Sequence, residues 1–145
     1  MDEVIFKTFN INRDNIGQTR VYDKDSVLEA FEIFKEKVDE GKALGEDASF
    51  YDVPMGTEYF KRYSTIDLTN VKFKILSIRA EVNEDTIKIY GTIKWIKDVD
   101  QLPRGFTFGL RGIQRTDQDK TVHLVRMITF DLLEEKDNED DKDDE

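Results

Sequence analysis

The strongest constraint on the fold is an alternation of apolar and polar residues that begins at Val71 and continues to Leu133. Four segments show the two-residue period of a half-buried strand, and turn-forming residues separate them. The segments are VKFKILSIRAEV, TIKIYGTIKWI, FTFGLRGIQRT and TVHLVRMITFDLL, and the breaks are NED, KDVDQLPRG and DQDK. This order predicts a meander of at least four antiparallel strands.

Two of these strands predict which side chains share a face. The first strand changes phase part-way along, with one group at Val71, Phe73 and Ile75 and a second at Ile78, Ala80 and Val82. In the last strand, alternation predicts one face of Val122, Leu124 and Arg126 and an opposite face of His123, Val125 and Met127.

One amphipathic helix precedes these strands, at about residues 25–40. Ser26 and Glu29 have the spacing of a capping box, and Gly41 stands where a left-handed C-terminal cap belongs. Four apolar residues recur at helical spacing on one face: Val27, Phe31, Phe34 and Val38. The stripe favours packing on a sheet, although a groove-binding helix would show the same spacing.

A further strand is predicted at EVIFKTFNI, from Glu3 to Ile11, which is rich in β-branched and aromatic residues. The predicted fold class is therefore α+β: mainly an antiparallel β sheet, or a partly closed barrel, packed by the one helix. Residues 1–133 have the length of a single domain, and residues 134–145 form a separate acidic tail.

The net charge of −10 is concentrated in that tail. Residues 134–145 hold nine acids and two lysines, so they carry −7 and the remaining 133 residues only −3. A block of like charges repels itself, and we expect the tail to be disordered. It would either keep the chain in solution or compete for a basic surface as a mimic of nucleic acid. The rest of the sequence has no basic stripe interleaved with aromatics, so direct nucleic-acid binding is not expected.

Composition also limits the compartment and the chemistry. No apolar run approaches the ~20 residues that cross a bilayer, and the N-terminus lacks the features of a signal peptide, so no membrane association is expected. The absence of cysteine excludes disulfides and thiolate chemistry and fits an intracellular protein. A single histidine among scattered acids predicts no metal site, and no motif predicts a bound cofactor.

His123 is the only histidine, so any histidine-based mechanism depends on it. It lies in a predicted strand, where a lone histidine is usually structural. A serine hydrolase would need a hydroxyl and an orienting acid beside it, and the candidate serines are Ser49, Ser64 and Ser77. The sequence alone brings none of them to the histidine.

Several short motifs, taken in order, resemble those of the prohead (procapsid maturation) proteases of tailed phages. GQTRVYDKDSVLEAFEIFKEKV followed by KALGE resembles the family's opening, in which an NGR-[IV]-Y-P turn leads into a helix and then into Gly-Glu and His-Pro. TIDLTNVKFKILSIRAEVNEDTIKIYGTIKWI is similar to the I-[ND]-L-x-x-V-S-H-x-I segment and the following strand that ends in G-x-I-K-I. FGLRG stands where the family has G-V-S-S-R-G. The resemblance spans about Gly17 to Leu133 and implies a protease-like fold.

The same resemblance implies that the catalytic residues have been replaced. In the family, the histidine after Gly-Glu is the base, a serine before Arg-Gly is the nucleophile, and a second histidine supports them. The corresponding residues here are Ser49, Gly109, Leu110 and Phe73. None of these residues is able to fill its family role, so no catalytic residue and no enzyme activity are expected.

These features favour a non-catalytic phage protein that acts through protein contacts, as a virion component, a head-assembly factor or a regulator of maturation. Its partners would be phage head or maturation proteins, and its location the host cytoplasm during infection or the virion. The alternative is an acidic host-directed inhibitor or nucleic-acid mimic. A hydrolase with a rebuilt site is the least favoured reading.

Two groups of side chains are candidate contacts for a protein partner. The first group is aromatic and lies within or shortly after the altered loop KALGEDASFYDVP: Phe50, Tyr51, Tyr59 and Phe60. The second group is acidic and lies in the tail: Asp140, Asp141, Asp143 and Asp144.

Overall fold

Seven strands and two helices make up the part of the chain that the computed structural model describes, residues 3–15, 20–47, 57–96 and 102–134. In chain order they are β1 (Val4–Asn10), β2 (Val21–Tyr22), α1 (Lys24–Asp39), β3 (Leu44–Glu46), α2 (Thr57–Ser64), β4 (Val71–Val82), β5 (Thr86–Trp95), β6 (Phe106–Thr116) and β7 (Thr121–Glu134). The predicted α+β class is confirmed, and strands predominate. The expectation of a single helix is wrong, because α2 occupies a segment that the sequence predicts as a polar and aromatic connection, although Tyr59, Phe60 and Tyr63 recur there at helical spacing. Glu134, the first residue of the predicted tail, ends β7, so the tail boundary is one residue too early. The predicted disorder of the rest of the tail, residues 135–145, lies outside the described residues.

The strands form two sheets that curl into a half-barrel. The first sheet has the order β1-β5-β4-β3 and is antiparallel throughout. The second has the order β2-β7-β6, in which β6 and β7 are antiparallel and the short β2 runs parallel to β7. An isolated bridge between Asp47 and Leu132 joins the end of β3 to β7. Because β5 and β6 belong to different sheets, the predicted meander is interrupted after its second strand.

The helix α1 packs on this half-barrel through the face that its sequence predicts. Its buried residues are Val27, Ala30, Phe31, Phe34 and Val38. The N-cap is Asp23 and not the predicted Ser26, since the Asp23 carboxylate accepts a hydrogen bond from the Ser26 N–H at 2.9 Å. Both residue types cap helices well, and only the structure shows which one precedes the first turn. Gly41 follows the helix with φ +76°, which confirms the predicted left-handed cap.

Register shifts explain where the predicted strand faces hold and where they fail. In β4, the shift between Ile75 and Ser77 produces the change of phase that the sequence predicts, and both Ile75 and Ile78 are buried. In the second predicted group only Ile78 is buried, whereas Ala80 is half-buried and Val82 is exposed.

The faces of β7 differ from the prediction beyond Leu124. Val125 and Ile128 have no partner in the register with β6, so each adds a residue to β7. Arg126 is consequently exposed and Met127 buried, the reverse of simple alternation from Val122. The core residues of the strand are Val122, Leu124, Met127, Phe130 and Leu132.

Aromatic rings join the two sheets and α1 in one hydrophobic core. The Phe6 ring of β1 stacks on that of Phe130 with 4.7 Å between centroids, and it meets the edge of Phe108 at 5.1 Å. Phe34 of α1 also contacts Phe130, and Phe73 of β4 contacts Phe108. These contacts hold β1 close to β6 although the two strands do not pair.

Candidate functional site

Four charged side chains meet where β3, α2, β6 and β7 come together: Glu46, Arg62, Arg111 and Asp131, here named the ion cluster. All but Arg62 are fully buried. Arg111 binds Asp131 through two parallel hydrogen bonds, Nε to Oδ2 at 2.8 Å and Nη2 to Oδ1 at 2.7 Å. Its Nη2 also donates to Glu46 Oε2 at 2.9 Å. Two acids and two arginines balance in charge, which makes burial of all of them tolerable.

Glu46 accepts hydrogen bonds from several segments at once. Arg62 donates to both of its carboxylate oxygens, the Asp67 N–H donates to Oε2 at 3.1 Å, and Asn70 Nδ2 donates to Oε1 at 3.1 Å. Burial disfavours the charged carboxylate, but these bonds and the one from Arg111 outweigh it and lower the pKa of Glu46. Glu46 is therefore the point that ties β3 to α2 and to the loop before β4.

Asp131 shares Arg111 with Glu46 but has fewer donors. Apart from the arginine, it accepts one bond, from the Glu46 backbone N–H to Oδ1 at 3.0 Å. Burial therefore prevails over the hydrogen bonds and raises the pKa of the Asp131 carboxyl. No buried side-chain nitrogen or oxygen lacks a partner in the described parts of the chain. The ion cluster thus fixes segments in place and leaves none of its buried polar atoms free for chemistry.

Phe73 belongs to the hydrophobic core beside this cluster. It lies opposite Gly45 in the antiparallel pair of β3 and β4, and a Cβ on Gly45 would come within 2.1 Å of its ring. The buried ring also contacts Trp95 and Phe108. Glycine at position 45 is thus required by the packing of an aromatic ring. The position that the resemblance assigns to a second histidine offers no polar atom.

Gly109 and Leu110 line a groove of about 530 Å³, here named the seam cleft, between β1, β2 and β6. Lys7, Arg20 and Tyr22 lie among the other lining residues. β1 and β6 are edge strands, and within the described ranges neither pairs with another strand on its second side. The seam cleft therefore lies between the edge strands of the two sheets, as far as the described residues define them.

Tyr63 of α2 covers part of the β6 edge at this seam. Its hydroxyl donates to the Gly112 carbonyl at 2.8 Å and accepts from the Gly112 N–H at 3.0 Å. The hydroxyl thus satisfies both backbone groups that a neighbouring strand would otherwise pair. Tyr63 thus connects α2 to the seam cleft, and Arg62 connects α2 to the ion cluster.

Two of the described residues that line the seam cleft are cationic, Lys7 and Arg20, although the chain has a net charge of −10. Lys7 Nζ lies 5.2 Å from the Phe9 ring centre and 5.7 Å from that of Tyr22, and no carboxylate of a described residue pairs with it. Burial, and then the nearby charge of Arg20, lower the pKa of the Lys7 ammonium. No described residue that lines the cleft is an aspartate or a glutamate.

His123 lies elsewhere, between the start of α1 and the turn from β6 to β7. Its Nε2 is 2.5 Å from Asp117 Oδ2, and its Nδ1 is 3.7 Å from Asp23 Oδ2. No serine hydroxyl within the described ranges hydrogen-bonds to it. Ser77 bonds to a threonine hydroxyl across the sheet, and Ser64 is exposed on α2. The imidazole thus lies between two carboxylates, and the hydroxyl of Ser26, which lines the same pocket, donates to the Asp23 carbonyl and accepts from the Leu124 N–H.

The predicted partner contacts fall largely outside the described residues. Those outside are Ser49, Phe50, Tyr51, Asp140, Asp141, Asp143 and Asp144. Tyr59 and Phe60 belong to α2, with side chains outside the described set.

Sequence reasoning missed most of the ion cluster and the seam cleft. Arg111 and Asp131 are charges of opposite sign inside two strands that are otherwise apolar near them, and that pattern indicates a buried ion pair. Lys7 and Tyr63 carry no comparable signal, because lysine and tyrosine are ordinary residues in a half-exposed strand or helix.

Comparisons with known proteins do not identify a relative. No protein-family model matches the chain, and no curated protein or solved structure matches it significantly. Within the described ranges, no helix is long and apolar enough to cross a bilayer, and no group of histidine and acidic side chains is arranged to hold a metal ion. Function has to be argued from the ion cluster and the seam cleft.

Proposed function

We propose that this chain is a non-catalytic phage protein, similar to the prohead proteases, that acts by binding proteins of head assembly or maturation. The observation that carries the proposal is the direct contact between Glu46 and Arg111, which are 65 residues apart in sequence. Each belongs to a short motif that resembles the family, Gly45-Glu46 in one case and the Arg-Gly of FGLRG in the other. Motifs that meet in space are better support for the resemblance than motifs that merely follow in order.

The residues around this contact support a binding role over hydrolysis. Phe73 is a core ring, and Gly109 and Leu110 present only backbone and apolar surface to the seam cleft. A covalent hydrolase needs a nucleophile within hydrogen-bonding reach of a base. The one histidine is instead held between Asp117 and Asp23.

The open seam supplies a surface suited to a protein partner. An unpaired strand edge presents backbone donors and acceptors in a row, and proteins commonly bind extended segments by adding them to such an edge. The seam cleft adds shape and charge to the β6 edge. A partner that binds there would contact the positions at which the family carries its nucleophile.

The test is binding to the head proteins and the maturation protease encoded with this chain. Calorimetry and gel filtration of the purified proteins should show a complex with at least one of them. A chain that ends at Leu133 is the comparison: equal binding assigns the contact to residues 1–133, and loss of binding assigns it to the acidic tail. The proposal fails if no complex forms and the protein is absent from virions.

Labelling with a serine-directed fluorophosphonate tests whether the chain is non-catalytic, as proposed. We expect no covalent adduct, because no described serine is placed against a base. Stoichiometric labelling that disappears in the His123→Ala variant would establish a hydrolase with a rebuilt site.

A further inference from the structure

The pocket beside His123 is a groove of about 350 Å³ between the first turns of α1 and the start of β7, here named the helix groove. Two of its lining residues, Ala30 and Leu124, are buried and apolar. Two others are large aliphatic residues that are mostly exposed, Ile33 of α1 at 61% and Val125 of β7 at 57%. Aliphatic side chains that are exposed around one groove indicate an interaction surface, whereas single exposed ones are ordinary.

Val125 is also the residue that the register between β6 and β7 skips. Leu124 pairs with Gln114 and Arg126 with Ile113, so Val125 is the extra residue of a bulge. Bulges re-aim side chains and are common beside functional sites. The exposed valine therefore belongs to a local departure from regular pairing at the helix groove.

Hydrogen bonds fix the first turn of α1 to β7 along the helix groove. The Ser26 hydroxyl donates to the Asp23 carbonyl at 2.9 Å and accepts from the Leu124 N–H at 3.0 Å. The Asp23 N–H donates to the Val122 carbonyl at 2.8 Å. The two sides of the groove are thus held in place without a ligand, which lowers the entropy cost of binding one.

The α1 side of the helix groove changes from acidic to apolar along the helix. Asp25, Glu29 and Ile33 all line it, and their spacing of four residues places them in one row. Both acids are exposed, and neither forms an ion pair with a described residue. Arg115, the arginine among the described lining residues, pairs with Asp117 at 2.6 Å. The helix dipole adds only about half a positive charge at this end, less than the two carboxylates carry.

This row indicates what kind of segment would occupy the helix groove. Four residues of a helix advance by about 6 Å, and two residues of an extended chain advance by about 6.6 Å. If an aliphatic residue of an extended segment contacts Ile33, the residue two positions away lies level with Glu29, and the one four positions away lies level with Asp25. Basic residues at those two positions would complement the carboxylates, whereas a nucleic acid would be repelled by them.

We propose that the helix groove binds an extended, basic segment of a partner protein, which sets an aliphatic side chain between Ile33 and Val125 and arginine or lysine side chains against Glu29 and Asp25. The inference rests on the proposed function, protein binding, and names the chemistry of the partner. It assigns the apolar contact to Ile33 and Val125, and the selection of basic residues to Glu29 and Asp25.

The test uses the full chain, labelled with ¹⁵N, at low salt, where exposed ion pairs are least screened. The probe is the peptide Arg-Thr-Arg-Thr-Leu-Thr-Arg-Thr-Arg with blocked ends, whose symmetry allows either chain direction. One control peptide has glutamine in place of each arginine, and another has serine in place of leucine. We expect saturable one-to-one binding of the probe, with amide shifts at Glu29, Ile33 and Val125. Each control peptide should bind about tenfold more weakly, because two ion pairs or the burial of the leucine is lost.

Two pairs of variants separate the helix groove from general effects of charge and exposure. Glu29→Gln should weaken binding of the probe by about threefold, whereas Glu36→Gln, at an exposed acid in a later turn of α1, should leave it unchanged. Ile33→Ser should weaken binding by about tenfold, whereas Ile5→Ser, at a 53% exposed residue of β1, should leave it unchanged. Circular dichroism of all four variants verifies that they are folded.

Several results would overturn the inference. Equal affinities for the probe and either control peptide would remove the charge or the apolar contact, and equal affinities within either pair of variants would place the peptide elsewhere on the chain. Displacement of the peptide by spermidine at similar concentration would reduce the groove to a site for small cations. Amide shifts at Ile33 and Val125 that grow with protein concentration in the absence of peptide would assign the groove to a second copy of the chain.

The same measurements separate this inference from the proposed function. A head protein that binds while the peptide does not, or that binds the Ile33→Ser variant equally well, would retain the proposed function and reject this site alone. Peptide binding that follows the expected pattern, with no head or maturation protein bound, would retain the site and reject the proposed partners.

Discussion

Replacement of Arg111 by methionine is the most direct test of how the ion cluster holds the fold. The substitution keeps an unbranched apolar stem and removes the guanidinium with its charge. Among the described residues, Arg111 makes five hydrogen bonds, three to carboxylates and two to the backbone carbonyls of Tyr63 and Thr65. All five are lost, and the guanidinium that compensates two buried acids is lost with them.

The size of the stability loss depends on which hydrogen bonds Glu46 and Asp131 retain in the variant. Glu46 retains Arg62, Asn70 and the Asp67 N–H, so its carboxylate remains solvated by the protein. Asp131 retains one donor, the Glu46 N–H, and becomes a buried and uncompensated charge. Removing one partner of a buried ion pair costs about 3–5 kcal/mol. A loss of this size should lower the melting temperature by roughly 10–15 °C.

Urea denaturation followed by far-UV circular dichroism and by the fluorescence of Trp95 measures this loss. Trp95 is the only tryptophan and contacts Phe73 in the core, so its emission reports tertiary unfolding. Arg115→Met is the matched control on the same strand, because Arg115 is 63% exposed and pairs with Asp117 at the surface. An exposed pair contributes about 0–1 kcal/mol. The reasoning is refuted if the two variants are destabilised to the same extent.

The pH dependence of the unfolding free energy is a second and independent test of the ion cluster. The lowered pKa of Glu46 means that its contribution to stability is present above its ordinary value of 4.5 and is lost as the pH falls below that value. Without Arg111 the pKa of Glu46 is lowered less. Acidification therefore removes less stability from the Arg111→Met variant than from the wild type. The difference in unfolding free energy between wild type and Arg111→Met should therefore narrow as the pH falls through 4.5. A difference that stays constant from pH 7 to pH 3.5 contradicts a charge-based role.

Three further substitutions test the packing around the site, each by urea denaturation at neutral pH. Phe34→Ala should cost about 3–5 kcal/mol because the ring is buried, whereas Ile33→Ala, at an exposed neighbour, should stay within about 0.5 kcal/mol. Gly45→Ala should cost about 1–3 kcal/mol, since a Cβ would press on the Phe73 ring; near-native stability would show that the ring moves freely. Tyr63→Phe should cost about 1 kcal/mol and speed amide exchange at the β6 edge, and unchanged exchange would contradict the edge contact.

The elements that sequence predicts well are those whose signal is local. The buried face of α1 follows from the spacing of Val27, Phe31, Phe34 and Val38, and the phase change in β4 follows from the positions of Ile75 and Ile78. Both patterns arise because a regular backbone repeats its orientation every two or 3.6 residues. In β7 the prediction from alternation is wrong after Leu124, because the extra residue Val125 shifts the register and no sequence pattern indicates it.

The candidate site was predictable only in part. The resemblance singles out Glu46 and Arg111 as positions of short motifs but says nothing of their contact with each other or with Asp131. α2 has eight residues, too few for a helix to be stable in isolation, so its existence depends on contacts such as Arg62 with Glu46.

The sequence by itself determined the α+β class, the positions of the long strands and of α1, and most of the buried faces, because each depends on periodicity within a few turns or residues. The tertiary structure alone decided how the strands divide between two sheets and that β1 and β6 stand at the ends of the strand orders found in the described ranges. It also decided that Arg111 compensates Glu46 and Asp131. These features depend on residues far apart in sequence, 65 positions for Arg111 and Glu46 and 100 for the paired Val21 and Thr121, whose meeting is set by the packing of the whole core and not by any local pattern.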